Sequence, residues 1–230
     1  MRAGAYDDDY YAVHAERVRE NSRFHRHRVA NVLSLLKPQP TELVLDLGCG
    51  VGSLTLACAQ AGARCIGLDY ELTGLRLARD LVAEIGLTGA LPLVCADACL
   101  LPFAASSIPA IVAADLTEHL TDDALRDMLA QCHIVLRPGG RLVIYTPCPA
   151  HWVERLKARG IIWQPDPTHI GLRSSPELAE AVSRAGFEVA RIACFPLHVP
   201  LAKSLERVAS RLPVVGPLFR RRIGLLAIKP

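Results

Sequence analysis

The chain has 230 residues, 51% of them hydrophobic and 21% charged, with a formal net charge of +3 at pH 7. This length favours a single domain over residues 1–230, and the small net charge gives no argument for nucleic acid as a partner. The first residues do not resemble a signal peptide, and no apolar run approaches transmembrane length. The eight cysteines form no Cys-x-x-Cys pair, and several, including Cys58, Cys65 and Cys95, lie in apolar runs. Buried reduced thiols and a cytoplasmic location are therefore expected.

Residues 1–40 are predicted to form an N-terminal helical cap. Arginines are dense between positions 17 and 28, and from Phe24 onward apolar residues recur at helical spacing. Two helices, or one kinked helix, are expected to end before Pro38 and Pro40. The alternative interpretation of the arginines is a basic face in contact with solvent.

A glycine-rich turn follows the first predicted strand, 43–47, and precedes a predicted helix, 53–61. The order of strand, glycine turn and helix is typical of a nucleotide-like ligand site at the end of a parallel sheet. Glycines allow a tight turn, a close approach of the backbone to the ligand, and close packing of the helix on the strand. The alternative is an ordinary turn in which the glycines serve geometry alone.

The sequence Asp46-Leu47-Gly48-Cys49-Gly50-Val51-Gly52 resembles motif I of the class I S-adenosylmethionine-dependent methyltransferases, Asp-x-Gly-x-Gly-x-Gly. The resemblance implies an α/β fold with a Rossmann-like, doubly wound, mostly parallel seven-stranded sheet and an antiparallel C-terminal hairpin. It implies S-adenosylmethionine as cofactor, with S-adenosylhomocysteine as product, and a cofactor-binding core over residues 41–147. The cofactor-binding residues that it implies in this motif are Asp46, Gly48, Cys49, Gly50 and Gly52.

Two further acidic residues end predicted strands. Asp69 follows the glycine turn by one strand–helix–strand step, where a carboxylate can accept hydrogen bonds from both ribose hydroxyls. Families that bind NAD share this device, and a turn-forming or capping aspartate is the structural alternative. Tyr70 is expected beside the adenine. By the resemblance, Asp97 accepts a hydrogen bond from the adenine amino group, and the backbone amide of Ala98 contacts the ring.

The predicted fourth strand, 108–114, is followed by Asp115-Leu116-Thr117-Glu118-His119-Leu120. This sequence resembles the Asp-x-x-Glu-His block of small-molecule methyltransferases related to the ubiquinone-type O-methyltransferases. Strand carboxyl ends face the ligand in open α/β sheets, so the block is expected at the methyl donor. Asp115 and Leu116 are cofactor-binding candidates. The catalytic candidates are Glu118, His119 and His169, because an imidazole near neutrality can take the proton of an acceptor hydroxyl.

The remaining segments are assigned more coarsely. After a turn at 137–140 and a strand at 141–147, the irregular segment 148–172 is predicted to be an acceptor lid. A helix over 174–185 precedes a closing hairpin made of 187–194 and 223–228. The insertion 195–222 has a basic amphipathic pattern, which favours either a helix packed on the acceptor side or weak contact with an anionic membrane surface.

We therefore expect a methyltransferase with a small-molecule acceptor, most simply acting on oxygen, and no metal. N- or C-methylation of a small or lipid-linked acceptor is the alternative. An NAD-dependent oxidoreductase explains the glycine turn and Asp69, but Ser53 replaces the third fingerprint glycine. An RNA or protein methyltransferase lacks support in any appended domain. An inactive binding module, the acceptor's identity and the oligomeric state stay open.

Overall fold

The computed structural model describes residues 8–87, 91–162, 166–196, 206, 208–210, 212 and 216–230. Its strands are β1 (Leu43–Leu47), β2 (Arg64–Asp69), β3 (Leu93–Cys95), β4 (Ile108–Ala114), β5 (Leu136–Pro147), β6 (Glu188–Phe195) and β7 (Arg222–Ile228). Its helices are α1 (Asp8–Arg19), α2 (Arg23–Leu36), α3 (Ser53–Gln60), α4 (Leu72–Glu84), α5 (Asp122–Val135), α6 (Trp152–Ala158) and α7 (Ser175–Arg184). Short 3₁₀ turns lie at Thr117–His119 and Gly216–Phe219.

The strands form one sheet in the order β3-β2-β1-β4-β5-β7-β6. The first five strands pair in parallel, and β7 pairs antiparallel with both β5 and β6. The predicted doubly wound sheet with an antiparallel C-terminal hairpin is thus confirmed. The chain proceeds outward from β1 to β3 and then returns to β4 on the other side of β1. This reversal opens a crevice at the carboxyl ends of β1 and β4, where ligands of such sheets bind.

Strand β4 is buried along its whole length, because helices cover both faces of the sheet. Ile111 and Ala113 belong to a core cluster with residues of α5 and α7, whereas the alternate residues Ala110 and Val112 pack with α2, α3 and α4. A strand buried on both sides needs apolar residues at every position rather than at every second one. The sequence Ile-Pro-Ala-Ile-Val-Ala-Ala meets this requirement.

The N-terminal segment forms two helices rather than one kinked helix. Asn21 takes a left-handed backbone with φ of 46°, and the Ser22 hydroxyl caps α2 by accepting a bond from the backbone N–H of His25. Arg141 of β5 fastens the other end of α2. Its guanidinium donates to both carboxylate oxygens of Glu42 at 2.7 and 2.6 Å and to the Leu36 carbonyl at 2.7 Å. The C-terminal end of α2 is therefore fixed to the sheet, while Ser22 caps its N-terminal end.

Three local predictions differ from the structure. Strand β5 begins at Leu136, through the predicted turn, because Leu136 pairs with Ile108 and the backbones of Gly140 and Lys229 hydrogen bond. Strand β3 has three residues and ends at Cys95, before the predicted strand end at Asp97. Cys95, expected to be buried, is exposed because β3 is an edge strand of the sheet. All eight cysteines are free thiols.

The apolar residues that give the insertion its amphipathic pattern are Leu201, Leu205, Val208 and Leu212. Leu201 and Leu205 lie outside the described residues, and Val208 and Leu212 are 66% and 50% exposed. The choice between packing and membrane contact stays a prediction. Helix α7 begins with a capping box made by Ser174 and Glu177 and has Pro176 in its first turn. Among the described residues, no helix has the length and apolarity that crossing a membrane requires.

A stability prediction concerns the buried hydrogen bond between α3 and β1. Thr55 donates to Asp46 at 2.7 Å, and both residues are buried. Thr55→Val leaves this carboxylate without its donor and is expected to lower the free energy of unfolding by about 1–3 kcal/mol at pH 7. Urea denaturation measures this value. Thr55→Ser keeps the hydroxyl and should be the more stable of the two variants; equal stability would contradict a contribution from the bond.

Candidate active site

A cavity of about 770 Å³ lies at the carboxyl ends of the central strands. Most of the predicted site residues line it, although they come from five separate stretches of the chain. They are Gly48, Cys49, Gly50, Asp69, Tyr70, Asp97, Ala98, Asp115, Leu116, Glu118, His119 and His169. Asp46 and Gly52 do not line this cavity. Its volume falls within the range of about 300–1,000 Å³ that is usual for small-molecule sites.

The glycine turn exposes backbone to the cavity between β1 and α3. Gly48, Gly50 and Gly52 have φ values of 67°, 52° and 76°, which lie in the left-handed region that favours glycine. Gly52 serves packing, since a Cβ atom there would lie 3.1 Å from the Cβ of Ala78 on α4. The thiol of Cys49 is buried in the turn, and burial raises its pKa well above the usual value, so that it stays neutral.

Asp69 ends β2 with a carboxylate held by backbone amides. It accepts hydrogen bonds from the N–H groups of Gly50 at 2.8 Å and Glu71 at 2.9 Å. Each carboxylate oxygen has a second acceptor position, and the residue lines the cavity. Burial raises the pKa of Asp69 from its usual value. The carboxylate thus fixes the turn and also presents acceptor capacity to a ligand.

Asp46 lies behind the turn instead of facing the cavity. It is 2% exposed, and burial raises its pKa to about 6 despite the hydrogen bond from Thr55.

Asp97, by contrast, is exposed at the cavity rim, where one of its oxygens accepts a hydrogen bond from the Cys99 amide at 2.8 Å. Asp97 is therefore a turn-forming residue whose other oxygen is available to a ligand.

Asp115 takes part in two ion pairs that its local sequence does not indicate. Its φ is 57°, and its oxygens lie 2.5 Å from Nε of Arg28 and 2.5 Å from Nη1 of Arg222. Burial alone would raise the pKa of Asp115, but Arg222 and Arg28 outweigh it and hold the pKa at about 2. Arg28 also donates to the Ser53 hydroxyl at 2.8 Å and to the Ala114 carbonyl at 3.2 Å.

Sequence reasoning missed the roles of both arginines. Arg28 falls in the arginine-rich stretch for which a solvated face was an alternative, and Arg222 falls in a basic run assigned to the insertion. They are 87 and 107 positions from Asp115 in the chain. No local sequence pattern predicts a contact between residues so far apart in the chain. Arg221 likewise turns inward and lies 2.9 Å from Glu154.

The Glu–His–His cluster, made of Glu118, His119 and His169, lies in the same cavity. Oε2 of Glu118 accepts a bond from the Thr146 hydroxyl at 2.9 Å. Among the described residues, Oε1 has no hydrogen-bond partner; the nearest guanidinium nitrogen, of Arg222, is 4.0 Å away. Burial, reinforced by the nearby Asp115, raises the pKa of Glu118 to about 8. The two imidazole rings have centroids 4.9 Å apart.

Both imidazoles of the cluster favour the neutral state at pH 7. Burial lowers the pKa of His119, and burial together with His119 lowers the pKa of His169. Nδ1 of His119 is 3.1 Å from the carbonyl oxygen of Thr168. A carbonyl only accepts, so Nδ1 carries the hydrogen and Nε2 carries the lone pair. This tautomer makes Nε2 the basic nitrogen of His119.

The N-terminal helices close one side of the cavity. Tyr10, Tyr11 and His14 of α1, with Phe24 and Arg28 of α2, are among its lining residues. The Tyr11 ring reaches the glycine turn, since a Cβ atom on Gly50 would lie 3.9 Å from its Cε1 atom. The segment before α7 contributes Asp166 and His169. Two chain segments outside the central sheet thus enclose the site.

The sheet order, the glycine turn and the acidic strand ends define a class I S-adenosylmethionine-dependent methyltransferase fold. A family model described as "Methyltransferase domain" matches residues 44–140. Over these residues the chain contains a methyltransferase domain, as its motifs predicted.

The curated relatives include enzymes with different acceptor atoms. A 24-methylenesterol C-methyltransferase 2 of Oryza sativa subsp. japonica is 29% identical over 185 residues, 74% of this chain and 47% of that protein. An O-methyltransferase of Pyrenophora dematioidea is 29% identical over 208 residues, 85% of this chain and 72% of that protein. The chain spans about half the length of the rice protein. The relatives therefore support the family and do not choose between carbon and oxygen.

A solved structure supports the fold. Geranyl diphosphate C-methyltransferase from Streptomyces coelicolor A3(2), in complex with Mg²⁺, geranyl diphosphate and S-adenosyl-L-homocysteine, matches with a TM-score of 0.64. The match has 16% identity and covers 88% of this chain and 77% of that one. At this identity the likeness establishes the fold alone.

The Asp115 ion pairs predict a pH-dependent contribution to stability. In Asp115→Asn, the new asparagine also tolerates a left-handed backbone. The substitution therefore removes the negative charge that pairs with Arg28 and Arg222 without straining the backbone. We expect a loss of about 2–4 kcal/mol in unfolding free energy at pH 7, somewhat below the value for fully buried pairs. Because the folded pKa of about 2 lies below the ordinary 3.8, the wild-type advantage is present above about pH 4 and declines as the pH falls toward 2.

Chemical denaturation of the wild-type and Asp115→Asn proteins between pH 7 and pH 3 measures the difference in their unfolding free energies. Glu180→Gln is the matched control, since it removes an exposed pair with Arg184 and should change stability by about 0.5 kcal/mol or less. An Asp115→Asn protein as stable as wild type at pH 7 would contradict the assignment.

Proposed function

We propose that this protein transfers the methyl group of S-adenosylmethionine to a hydroxyl group of a small-molecule acceptor. The observation that carries the proposal is the shared cavity. The glycine turn, Asp69, Asp115 and the Glu–His–His cluster all line it. One bound cofactor and one acceptor therefore have access to every group that the reaction needs.

The strand order orients the cofactor in this proposal. Asp69 ends β2, the glycine turn follows β1, and Asp115 follows β4, and these three strands are adjacent with β1 in the middle. A cofactor whose ribose hydrogen bonds to Asp69 thus crosses the glycine turn with its methionine part directed toward β4. Asp97 and Ala98 follow β3, next to β2, where they suit the adenine. The methyl group then lies beside Leu116 and the Glu–His–His cluster.

The acceptor fits between that methyl group and the N-terminal helices. Tyr10, His14 and Phe24 supply ring surfaces to the cavity, and His169 approaches from the segment 148–172. We therefore assign 1–40 as a cap and 148–172 as a lid over the acceptor. The sulfonium is already activated, so the protein mainly aligns the acceptor with the methyl group and excludes water.

The neutral imidazoles support oxygen as the methylated atom. A hydroxyl must lose its proton as the new carbon–oxygen bond forms, and a neutral imidazole can take it. Nε2 of His119 is the first candidate base, and His169 and Glu118 are the neighbouring groups for relay. The sterol relatives make C-methylation the alternative that an acceptor screen with labelled methyl donor decides.

Asp46 and Gly52 act indirectly in this scheme, through the turn. Asp46 accepts a hydrogen bond from Thr55 at the start of α3, and Gly52 allows α3 to approach α4.

Membrane contact through 195–222 stays a prediction. Arg221 and Arg222 are engaged in inward ion pairs, so such contact would depend on Arg220 and on insertion residues outside the described ones.

Cofactor binding is the first test of this function. The protein is expected to bind S-adenosylmethionine and S-adenosylhomocysteine, but not NAD, in isothermal titration calorimetry. Gly50→Val should abolish binding, because a side chain there enters the cavity and strains a backbone with φ of 52°. Asp69→Ala should weaken binding by about 1–3 kcal/mol, the usual effect of removing a buried partner. A higher affinity for NAD would refute the proposal.

The proton acceptor is the second test. With a hydroxyl acceptor found by the screen, His119→Ala should reduce turnover by about 10²–10⁴-fold and leave cofactor affinity nearly unchanged. The wild-type rate should rise with pH and level off below the ordinary histidine value of about 6.5, because burial lowers the pKa of His119. His169→Ala shows whether the second imidazole contributes. A flat pH profile with less than tenfold loss in both variants would indicate an acceptor that is already nucleophilic.

A further inference from the structure

Two cations of the cavity share one carboxylate, that of Glu154 on α6. Its Oε1 atom lies 2.9 Å from Nη1 of Arg221 and 3.3 Å from Nζ of Lys157. The side chains of Lys157 and Arg221 are 23% and 20% exposed, and both residues line the cavity, whereas Glu154 does not. These three residues form the Lys157–Glu154–Arg221 group. At contact distance, the group presents to the cavity one positive charge that its carboxylate does not balance.

More distant anions leave this excess in place. Among the described residues, no second carboxylate lies within 4.0 Å of either cation of the group. Glu206 attracts Arg221 from further away. Its Oε1 atom is already engaged by the ring nitrogens of His151 and Trp152, each at 3.1 Å. Arg222 acts on Arg221 more strongly than Glu206 does, and burial together with Arg222 lowers the pKa of Arg221. The surroundings of Arg221 are therefore electropositive.

The other acidic residues that line the cavity are placed or engaged elsewhere. Asp69 and Asp97 follow β2 and β3, in the proposed cofactor half, and Asp9 is exposed on α1. Asp166 accepts hydrogen bonds at 2.9 and 2.6 Å within its own turn. Glu118, whose pKa burial raises to about 8, is largely protonated at pH 7. None of these carboxyls forms an ion pair with the cations of the Lys157–Glu154–Arg221 group.

The proposed cofactor adds positive charge to the cavity. S-adenosylmethionine carries a sulfonium, an ammonium and one carboxylate, so its net charge is positive. Its methionine part is directed toward the end of β4, where its carboxylate can meet the second of the two cations that flank Asp115. The excess charge at Glu154 then has no counterpart in the cofactor. In a partly enclosed cavity such a charge attracts a further anion.

The cap side of the cavity is also cationic. Arg17 of α1 lines the cavity, and its guanidinium carbon lies 5.6 Å from the centroid of the Phe24 ring. Burial, Arg17 and Arg28 lower the pKa of His14 to about 4, so this imidazole is neutral at pH 7. The acceptor space thus combines ring surfaces with positive charge.

We propose that the acceptor carries an anionic group, a carboxylate or a phosphate, which binds Lys157 and Arg221. This inference rests on the proposed function, in which a separate hydroxyl of the same molecule receives the methyl group. Arg222 follows Arg221 directly and lies 4.0 Å from Oε1 of Glu118. The anion subsite therefore adjoins the Glu–His–His cluster, beside which the methyl group is expected. A small aromatic acid or phosphate ester with a ring hydroxyl has the size and charge to span both.

The anion subsite determines specificity in this proposal. An ammonium and a guanidinium donate charge-assisted hydrogen bonds, which are stronger than those to a neutral ester or amide. We therefore expect an anionic acceptor to bind about 10–100-fold more tightly than its neutral counterpart. The anionic group does not react, so its loss should raise KM more than it lowers kcat.

Calorimetric titration of the full chain tests the subsite, with and without saturating S-adenosylhomocysteine. The probes are the isomeric hydroxybenzoates and phenyl phosphate, with the hydroxybenzamides and phenol as neutral partners. Lys157→Gln and Arg221→Gln should each weaken binding of the anionic probes by about 10–100-fold. Each variant leaves Glu154 one cation, so its fold should persist, which its affinity for S-adenosylhomocysteine checks. Arg155→Gln removes an exposed charge of the same helix outside the cavity and should have no effect.

A third variant separates recognition of an anion from a merely structural role. Glu154→Gln releases both cations and should tighten binding of the anionic probes, whereas a structural role for the group predicts weaker binding. Comparison of hydroxybenzoate with phenyl phosphate shows which anion the subsite prefers. No saturable binding of any anionic probe, or equal affinity in wild type, Lys157→Gln and Arg221→Gln, overturns the proposal.

Labelled methyl donor distinguishes this failure from failure of the proposed function. Methyl transfer to neutral acceptors with the same kcat/KM as to their anionic partners would retain the function and refute the anion subsite. Anion binding that depends on Lys157, in a chain that does not bind S-adenosylmethionine, would retain the subsite and refute the function. With both correct, Lys157→Gln should raise KM for an anionic acceptor and leave KM for its neutral partner nearly unchanged.

Discussion

Asp115 holds a carboxylate between two guanidinium groups that come from opposite ends of the chain. Arg28 lies on α2 and Arg222 begins β7, and each comes to 2.5 Å from one oxygen of Asp115 at the end of β4. A largely buried charge is tolerated only with such partners. Three positions therefore depend on one another: those of the N-terminal helices, of the end of β4 and of the start of β7. The cavity lies where these three segments meet.

The same arrangement gives two neighbouring carboxyl groups very different pKa values. Asp115 has a pKa of about 2 because the two arginines outweigh its burial, whereas burial and the anionic Asp115 raise the pKa of Glu118 to about 8. Asp115 is thus a permanent anion whose charge is already matched. Glu118 retains an oxygen without a hydrogen bond among the described residues. The carboxyl that can gain or lose a proton near neutral pH is consequently the one beside the two imidazoles.

The proposed cofactor half and the proposed acceptor half of the site follow different physical constraints. The glycine turn and Asp69 are held by backbone hydrogen bonds within adjacent elements, and their geometry belongs to the fold. The proposed acceptor half is built from the N-terminal helices and from the segment between β5 and α7. Side chains such as Arg28 and Arg141 join the helices to the sheet. Folds of this kind support several reactions because such segments vary. The curated relatives include both C- and O-methyltransferases, as such variation allows.

The sequence alone determined the sheet, the glycine turn and the acidic strand ends, because these depend on short-range patterns of apolar, glycine and acidic residues. Local patterns also placed Glu118 and His119 directly after a buried strand. Only the tertiary structure decided the partners of Asp115, since Arg28 and Arg222 are 87 and 107 positions away. It also brought His169 beside His119 and turned Asp46 away from the cavity. Contacts between distant segments depend on packing in three dimensions, and no local pattern in one sequence encodes them.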